Sequence, residues 1–181
     1  MLKQILAFVA VMACCGTAFA QGDITRDYES EREYAALGMQ NRLGLGVMAG
    51  EPTGVTAKWW MGKASAIGAG AAWSFRNDDE VVFHADYLLH RFGWSKAERD
   101  IDEGGLPFYF GLGGQLRMAD DGPDAGTNGD TSFGLRMPLG LSWLNSTTQL
   151  EMFGEAVPGL ELTPDTDLTV GGAIGMRYTF Q

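Results

Sequence analysis

No cysteine lies beyond residue 15. Both cysteines, Cys14 and Cys15, fall in the first twenty residues. Once that segment is removed, the chain has no disulfide and no thiol chemistry. Only two histidines are present, His84 and His90, too few for a histidine-rich metal site. Positive charge is also scarce, with 13 Lys+Arg against 23 Asp+Glu. That balance argues against nucleic acid and against a polybasic membrane-surface binder. After residue 20 no apolar run reaches the roughly 18 residues of a membrane-spanning helix. Glycine alone is abundant, 26 of 181 and about twice average usage, without the period of collagen.

Residues 1–20 read as a signal peptide. Lys3 is the positive start, Ile5 to Ala13 a short apolar core, and Ala18-Phe19-Ala20 an A-x-A cleavage site. A rival lipoprotein box at Val11-Met12-Ala13-Cys14, with Cys14 acylated, would leave a very short signal, so A-x-A is preferred. Removing Lys3 leaves 12 cations and 23 acids, a formal charge of −11 over residues 21–181. Residues 21–42 are polar, without strand alternation, and are expected to form a periplasmic leader.

From Leu43 onward large apolar residues alternate with small or polar ones at period two, the signature of strands. Eight are expected, carrying on one face Leu43–Ala49, Val55–Met61, Ile67–Phe75, Val81–Leu89, Leu106–Leu116, Phe133–Trp143, Leu150–Pro158 and Leu168–Phe180. Turn signals such as Glu51-Pro52-Thr53-Gly54 separate them. The last strand is the most telling. Leu168, Val170, Ile174, Met176, Tyr178 and Phe180 share one face. Thr169, Gly171, Ala173, Gly175 and Arg177 share the other. A water-facing strand shows Lys, Glu and Thr; a lipid-facing barrel strand is apolar and aromatic outside and small or polar inside.

An even strand count puts both ends of the barrel on the periplasmic side. Trp59, Phe108, Trp143, Tyr178 and Phe180 then form one aromatic girdle, and Trp73, Phe75, Phe83 and Phe133 the other. The expected fold is all-β, an eight-stranded antiparallel transmembrane β-barrel over residues 43–181. One connection, Arg91 to Gly105, is long for a periplasmic turn.

These residues bring the chain near a known family. The strand pattern and the aromatic terminus resemble the small OmpA/OmpX-like eight-stranded outer-membrane barrels. The motifs G-x-x-x-G-E-P-T-G-V-T-x-K (Gly46 to Lys58), F-H-A-D-Y (Phe83 to Tyr87) and P-F-Y-F-G-L-G-G (Pro107 to Gly114) resemble an uncharacterised group of such barrels. The resemblance implies outer-membrane location and contact with lipid and lipopolysaccharide. It also implies delivery by the barrel assembly machinery, with Tyr178 and Phe180 as the recognition signal. A monomer is expected, with no nucleic acid partner.

The face opposite the apolar one carries Lys58, His84, Asp86, His90, Gln115, Arg117, Arg136, Glu151, Glu155 and Arg177. An eight-stranded barrel is just wide enough inside to be filled by side chains. An ion-pair network of Lys58, Asp86, Arg117, Arg136, Glu151, Glu155 and Arg177 is therefore expected in the lumen, since an unpaired buried charge is costly. Adjacent strands suggest the pairs Arg136–Glu155 and Glu151–Arg177.

A catalytic reading, a lumenal lipid-modifying enzyme, would use His84 and Asp86 with a serine, and only Ser74 and Ser142 offer themselves. Metal binding by His84, Asp86 and His90 lacks a diagnostic spacing. The loop Asp120 to Asp130 does not match the EF-hand, and no helix follows Gly111-Leu112-Gly113-Gly114 to make a nucleotide loop. The sequence thus points to a non-enzymatic barrel without cofactor or metal. A lipocalin-like carrier with the apolar face turned inward is the remaining alternative.

Overall fold

The computed structural model describes residues 40–51, 53–74, 80–92, 104–119, 131–145, 147–164 and 166–180. The expected signal peptide, most of the leader, Cys14, Phe75 and the loop 120–130 lie outside them.

The strands are β1 (Leu43–Glu51), β2 (Thr53–Trp60), β3 (Ser65–Ser74), β4 (Glu80–Arg91), β5 (Gly104–Gly105), β6 (Phe108–Ala119), β7 (Thr131–Arg136), β8 (Leu139–Asn145), β9 (Leu150–Thr163) and β10 (Asp167–Phe180). All the pairings are antiparallel, and β10 pairs with both β9 and β1, so the sheet closes on itself. Nine strands make the ring. β7 and β8 share one position in it, each lying between β6 and β9. The expected sixth strand is thus one strand interrupted at Met137 and Pro138. Its register is continuous, because Arg136 faces Gly159 and Leu139 faces Ala156. Pro138 has no N–H to give to the ladder, so only half its rung remains, its carbonyl accepting from Gly111 N–H at 2.8 Å.

Stepping from Arg177 through Gly46, Thr56, Gly70, His84, Gln115, Gly134 and Glu161 returns to β10 at Asp167. The walk ends ten residues from its start (177 − 167), which is the shear of the barrel. Eight positions with that shear tilt the strands by about 40°.

The tilt converts register into height. We call the end where β1 begins and β10 finishes the terminal end, and the other the loop end. With about 3.3 Å per residue, Trp59, Phe108, Trp143, Tyr178 and Phe180 fall in one band near the terminal end. Trp73, Phe83 and Phe133 fall in a second band roughly 20 Å higher. These side chains point outward; Trp59, Phe83, Phe133 and Phe180 are each close to half exposed. Between the bands the outer wall is apolar. Ala57, Ala69, Ala85 and Gly114 stand directly opposite one another across β2, β3, β4 and β6. They floor a shallow furrow of about 830 Å³ on that wall.

The period-two alternation is visible strand by strand. Along β4 the exposed Val81, Phe83, Ala85, Tyr87 and Leu89 alternate with the buried Val82, His84, Asp86, Leu88 and His90. The apolar face is outside and the charged face inside. The long connection after β4 is partly accounted for: Gly104 and Gly105 form β5 and pair with Asn145 and Leu144 of β8. The fifth expected segment therefore begins at Phe108, where β6 starts, and Leu106 precedes it.

Two turns show local control. At the β1–β2 turn Gly50 has φ +150°, a conformation that favours glycine. The Thr53 hydroxyl donates to its carbonyl at 3.0 Å. At the β8–β9 turn Gln149 is left-handed with φ +58°, and Thr148 N–H donates to Asn145 Oδ1 at 2.8 Å.

Candidate functional site

The lumen is where this chain concentrates its chemistry. The inward charges fall into three tiers by height, each assembled from several strands.

The terminal tier centres on Glu151 of β9. Its Oε1 accepts from Lys58 Nζ of β2 at 2.6 Å, Ser142 Oγ of β8 at 2.9 Å and Arg177 Nη1 of β10 at 3.4 Å. Arg177 also donates through Nε and Nη2 to Thr56 Oγ1, at 3.1 and 2.9 Å. Its guanidinium lies 3.8 Å over the Phe153 ring. Aromatic rings close this end around the charges. Lys58 Nζ stands 4.3 Å from the centre of the Trp60 ring and 5.3 Å from that of Tyr109. His90 stacks between them, with centroids 4.3 Å from Trp60 and 5.3 Å from Tyr109. Lys58, Trp60 and Glu151 are wholly buried.

The middle tier centres on Arg136. Its Nε lies 3.0 Å from Asp86 Oδ1, near enough for an ion pair though not aligned as a hydrogen bond. Its Nη2 donates to Glu155 Oε1 at 3.4 Å. Glu155 Oε2 accepts from the Tyr109 hydroxyl at 2.7 Å, which links this tier to the one below. His84 stands beside Asp86, Nε2 to Oδ2 4.0 Å.

The mouth tier, level with the upper aromatic band, is simpler. Arg117 Nε lies 2.7 Å from Glu80 Oε1 and 3.3 Å from Glu161 Oε1, and all three are partly exposed.

All seven residues expected to form a lumenal network therefore point inward. Glu151–Arg177 and Arg136–Glu155 are each within 3.4 Å. In both cases a nearer partner arrives from elsewhere in the ring, Lys58 for Glu151 and Asp86 for Arg136. Sequence reasoning missed Trp60, Tyr109 and Thr56 as lumen residues. Period two, continued inward from Lys58, would have found Trp60 and Thr56. Tyr109 follows from Phe108 by the same rule.

The residues weighed for catalysis and metal binding are dispersed. Ser142 serves the terminal tier, bound to Glu151, while His84 belongs to the middle tier. His90 lies six positions beyond His84 on β4, about 20 Å at strand rise. Its Nδ1 faces Ala64 O at 3.3 Å. Among the described residues no three His, Cys, Asp or Glu side chains gather as a metal site. Ser74 ends β3.

Space for the large inward side chains comes from the strand next door. His84 faces Gly70, Asp86 faces Gly113, Tyr109 faces Gly140 and Phe153 faces Gly175. A Cβ at any of these glycines would overlap the side chain opposite.

No family model matches this chain, and no curated protein matches it. Among solved structures it is similar to the N-terminal β-barrel domain of Pseudomonas aeruginosa OprF, with a TM-score of 0.57 and 11% identity. The alignment covers 78% of this chain and 98% of that domain. The likeness establishes the fold. This chain is a closed antiparallel β-barrel, as that domain is.

Proposed function

We propose that this chain is an outer-membrane β-barrel protein with a structural or surface-contact role, non-enzymatic, its lumen filled by its own side chains. One observation carries the reading. The closed barrel is apolar on the outside between two aromatic bands, while its charges are turned in and paired. In water that arrangement would leave some two dozen large apolar side chains facing solvent, including Val170 at 82% exposure. In lipid it is the arrangement a barrel wall requires. The carrier alternative needs the large apolar face inside, and here the inward residues include the buried, charged Lys58, Asp86, Arg136, Glu151 and Arg177.

The terminal end then faces the periplasm and the loop end the exterior, with lipid and lipopolysaccharide around the wall. The chain acts as a monomer delivered by the barrel assembly machinery, Tyr178 and Phe180 supplying its signal. The motifs at Gly46–Lys58, Phe83–Tyr87 and Pro107–Gly114 support a place among the uncharacterised small barrels they resemble. The lumen network is the structural core of this role: ion pairs that keep a narrow polar interior closed.

Fractionation tests the reading. The protein is expected in the outer membrane, migrating differently on gels when unheated, because a closed barrel resists detergent unfolding. Recovery in the soluble periplasmic extract would overturn it. His84→Gln is expected to leave lipid A and phospholipid profiles unchanged by mass spectrometry; a lost or altered acyl species would make this an enzyme.

A further inference from the structure

The ring closes where β10 meets β1, the two strands farthest apart in the chain. Every other ladder of the ring joins strands that follow one another, β7 and β8 counting as one. Consecutive strands are kept together by the connection between them. The seam has no such connection, and its closure carries the largest loop entropy.

The three tiers differ in how they treat this seam. The middle and mouth tiers are built from β4, β6, β7 and β9. Side chains of β2 and β10 enter only the terminal tier. There the register sets two rungs across three strands. Arg177 of β10 faces Gly46 of β1, which faces Thr56 of β2; Thr179 faces Gly44, which faces Lys58. On neither rung does β1 carry a side chain.

Over Gly46 the Arg177 guanidinium therefore reaches the second strand along, and gives Nε and Nη2 to Thr56 Oγ1 at 3.1 and 2.9 Å. The Thr56 hydroxyl gives its own proton to Ala69 O of β3 at 3.4 Å, which leaves its oxygen to accept both. Arg177 Nη1 turns back to Glu151 of β9 at 3.4 Å, and Glu151 holds Lys58 of β2 at 2.6 Å. Strands β9, β10 and β2 are thus tied by side chains across β1, which contributes none. Arg177, Thr56, Lys58 and Glu151 are at most 5% exposed, so water competes weakly for these charge-assisted bonds. A Cβ at Gly46 would run into the Met176 carbonyl and the Arg177 Cα, so the bridge requires glycine there. At Gly44 a Cβ would stand 3.6 Å from its nearest neighbours, an ordinary contact.

We propose that Arg177 is a latch on the closing seam. It fastens β10 to β2 over Gly46 and holds β1 between them, so that losing it alone loosens the β1–β10 ladder before the others. This device goes beyond the envelope role and depends only on the closed barrel.

The test is hydrogen exchange at single amides of the full chain folded in detergent micelles. Thr179 N–H bonds toward β9, and the bonding side alternates along a strand, so even residues of β10 bond toward β1. Val47 and Met176 N–H therefore report the seam. His90 N–H bonds to Ala64 O, so by the same rule His84 and Gly70 N–H report the β3–β4 ladder. Arg177→Met keeps an unbranched side chain and removes the donors. It is expected to speed exchange at Val47 and Met176 by about tenfold or more, and at His84 and Gly70 by less than about threefold. Thr56→Val is the milder probe, close in shape and without the acceptor. It should speed the two seam amides by about threefold or more and keep the unheated gel migration. Gly44→Ala is expected to change neither set. Equal acceleration of both sets by Arg177→Met would overturn the latch, because the whole barrel would then have loosened. Seam amides left unchanged by Thr56→Val would overturn it as well, and that variant decides alone if Arg177→Met does not assemble.

Discussion

Replacing Glu151 by Gln keeps the shape of the terminal tier and removes its only described carboxylate. Glu151 meets Lys58 at 2.6 Å and Arg177 at 3.4 Å, and both cations are buried. After the change two positive charges share a space from which water is largely excluded. Breaking a buried pair by removing one partner costs about 3–5 kcal/mol. The Gln oxygen still accepts a hydrogen bond, and Thr56 still holds Arg177, so the lower half of that range is expected. With a urea slope of roughly 2 kcal/mol per molar, the unfolding midpoint in lipid vesicles should fall by about 1.5–2 M, followed by tryptophan fluorescence. Glu151→Gln combined with Lys58→Met removes one of the two stranded cations and should recover at least half the loss. Replacing the whole cluster, with Lys58→Met, Glu151→Leu and Arg177→Met, should be neutral or stabilising, since no charge then remains to be desolvated. A loss below about 1 kcal/mol for the single variant, or simple additivity in the double, would refute the claim that charge pairing holds this tier together.

Arg136→Ala leaves Asp86 and Glu155 facing each other, and a loss of about 3–5 kcal/mol is expected. Adding Glu155→Ala should restore only part of it, because Asp86 stays stranded; full recovery in a urea titration would show that Asp86 is not the nearer partner. Gly113→Ala places a Cβ against Asp86 Oδ1 and the Ala85 carbonyl and should destabilise by about 1–3 kcal/mol or more. Gly154→Ala, with 3.8 Å to its nearest neighbour, should be nearly neutral; similar costs at both sites would count against the cross-strand account of the glycines. Phe180→Ala should lower assembled protein in membranes more than Gln181→Ala, as measured by the unheated gel band, and equal tolerance would remove the terminal signal.

The wall of this barrel was legible in the sequence and much of its interior was not, for a geometric reason. Period two assigns each residue to a face, and that rule separated Lys58 and Asp86 from Trp59 and Phe83 correctly. It also placed the first strand at Leu43, where β1 begins. Hairpin neighbours can be aligned by counting back from a short turn, which brings Arg136 opposite the region of Glu155 and Glu151 beside Arg177. Lys58 lies 93 positions from Glu151, and no turn connects their strands. Their contact follows only from closure and shear, which no single hairpin encodes. The same limit hid Asp86 from Arg136, two positions apart around the ring. The break at Pro138 was readable in principle, since a proline within a ladder costs a rung. The pairing of Gly104 and Gly105 was not, because two glycines carry no facial pattern.

The abundance of glycine then has a mechanical cause rather than a compositional one. A lumen of eight strands has no room for a ring, a guanidinium or a carboxylate on every inward position, and three tiers of charge demand many of them. The register solves this by pairing. Four bulky inward residues are each set against a residue with no side chain on a neighbouring strand: Gly70 with His84, Gly113 with Asp86, Gly140 with Tyr109, Gly175 with Phe153. The glycine is therefore as much a part of each ion-pair tier as the charged atoms are, because it fixes where the partner side chain can lie. It also makes the register hard to slip. A shift of one residue would turn the charges to the outside of the wall. A shift of two on one strand would keep the faces but set bulky against bulky, as Phe153 against Arg177 instead of Gly175. Steric exclusion inside and apolar demand outside thus specify one alignment between them, and the ion pairs form as its consequence.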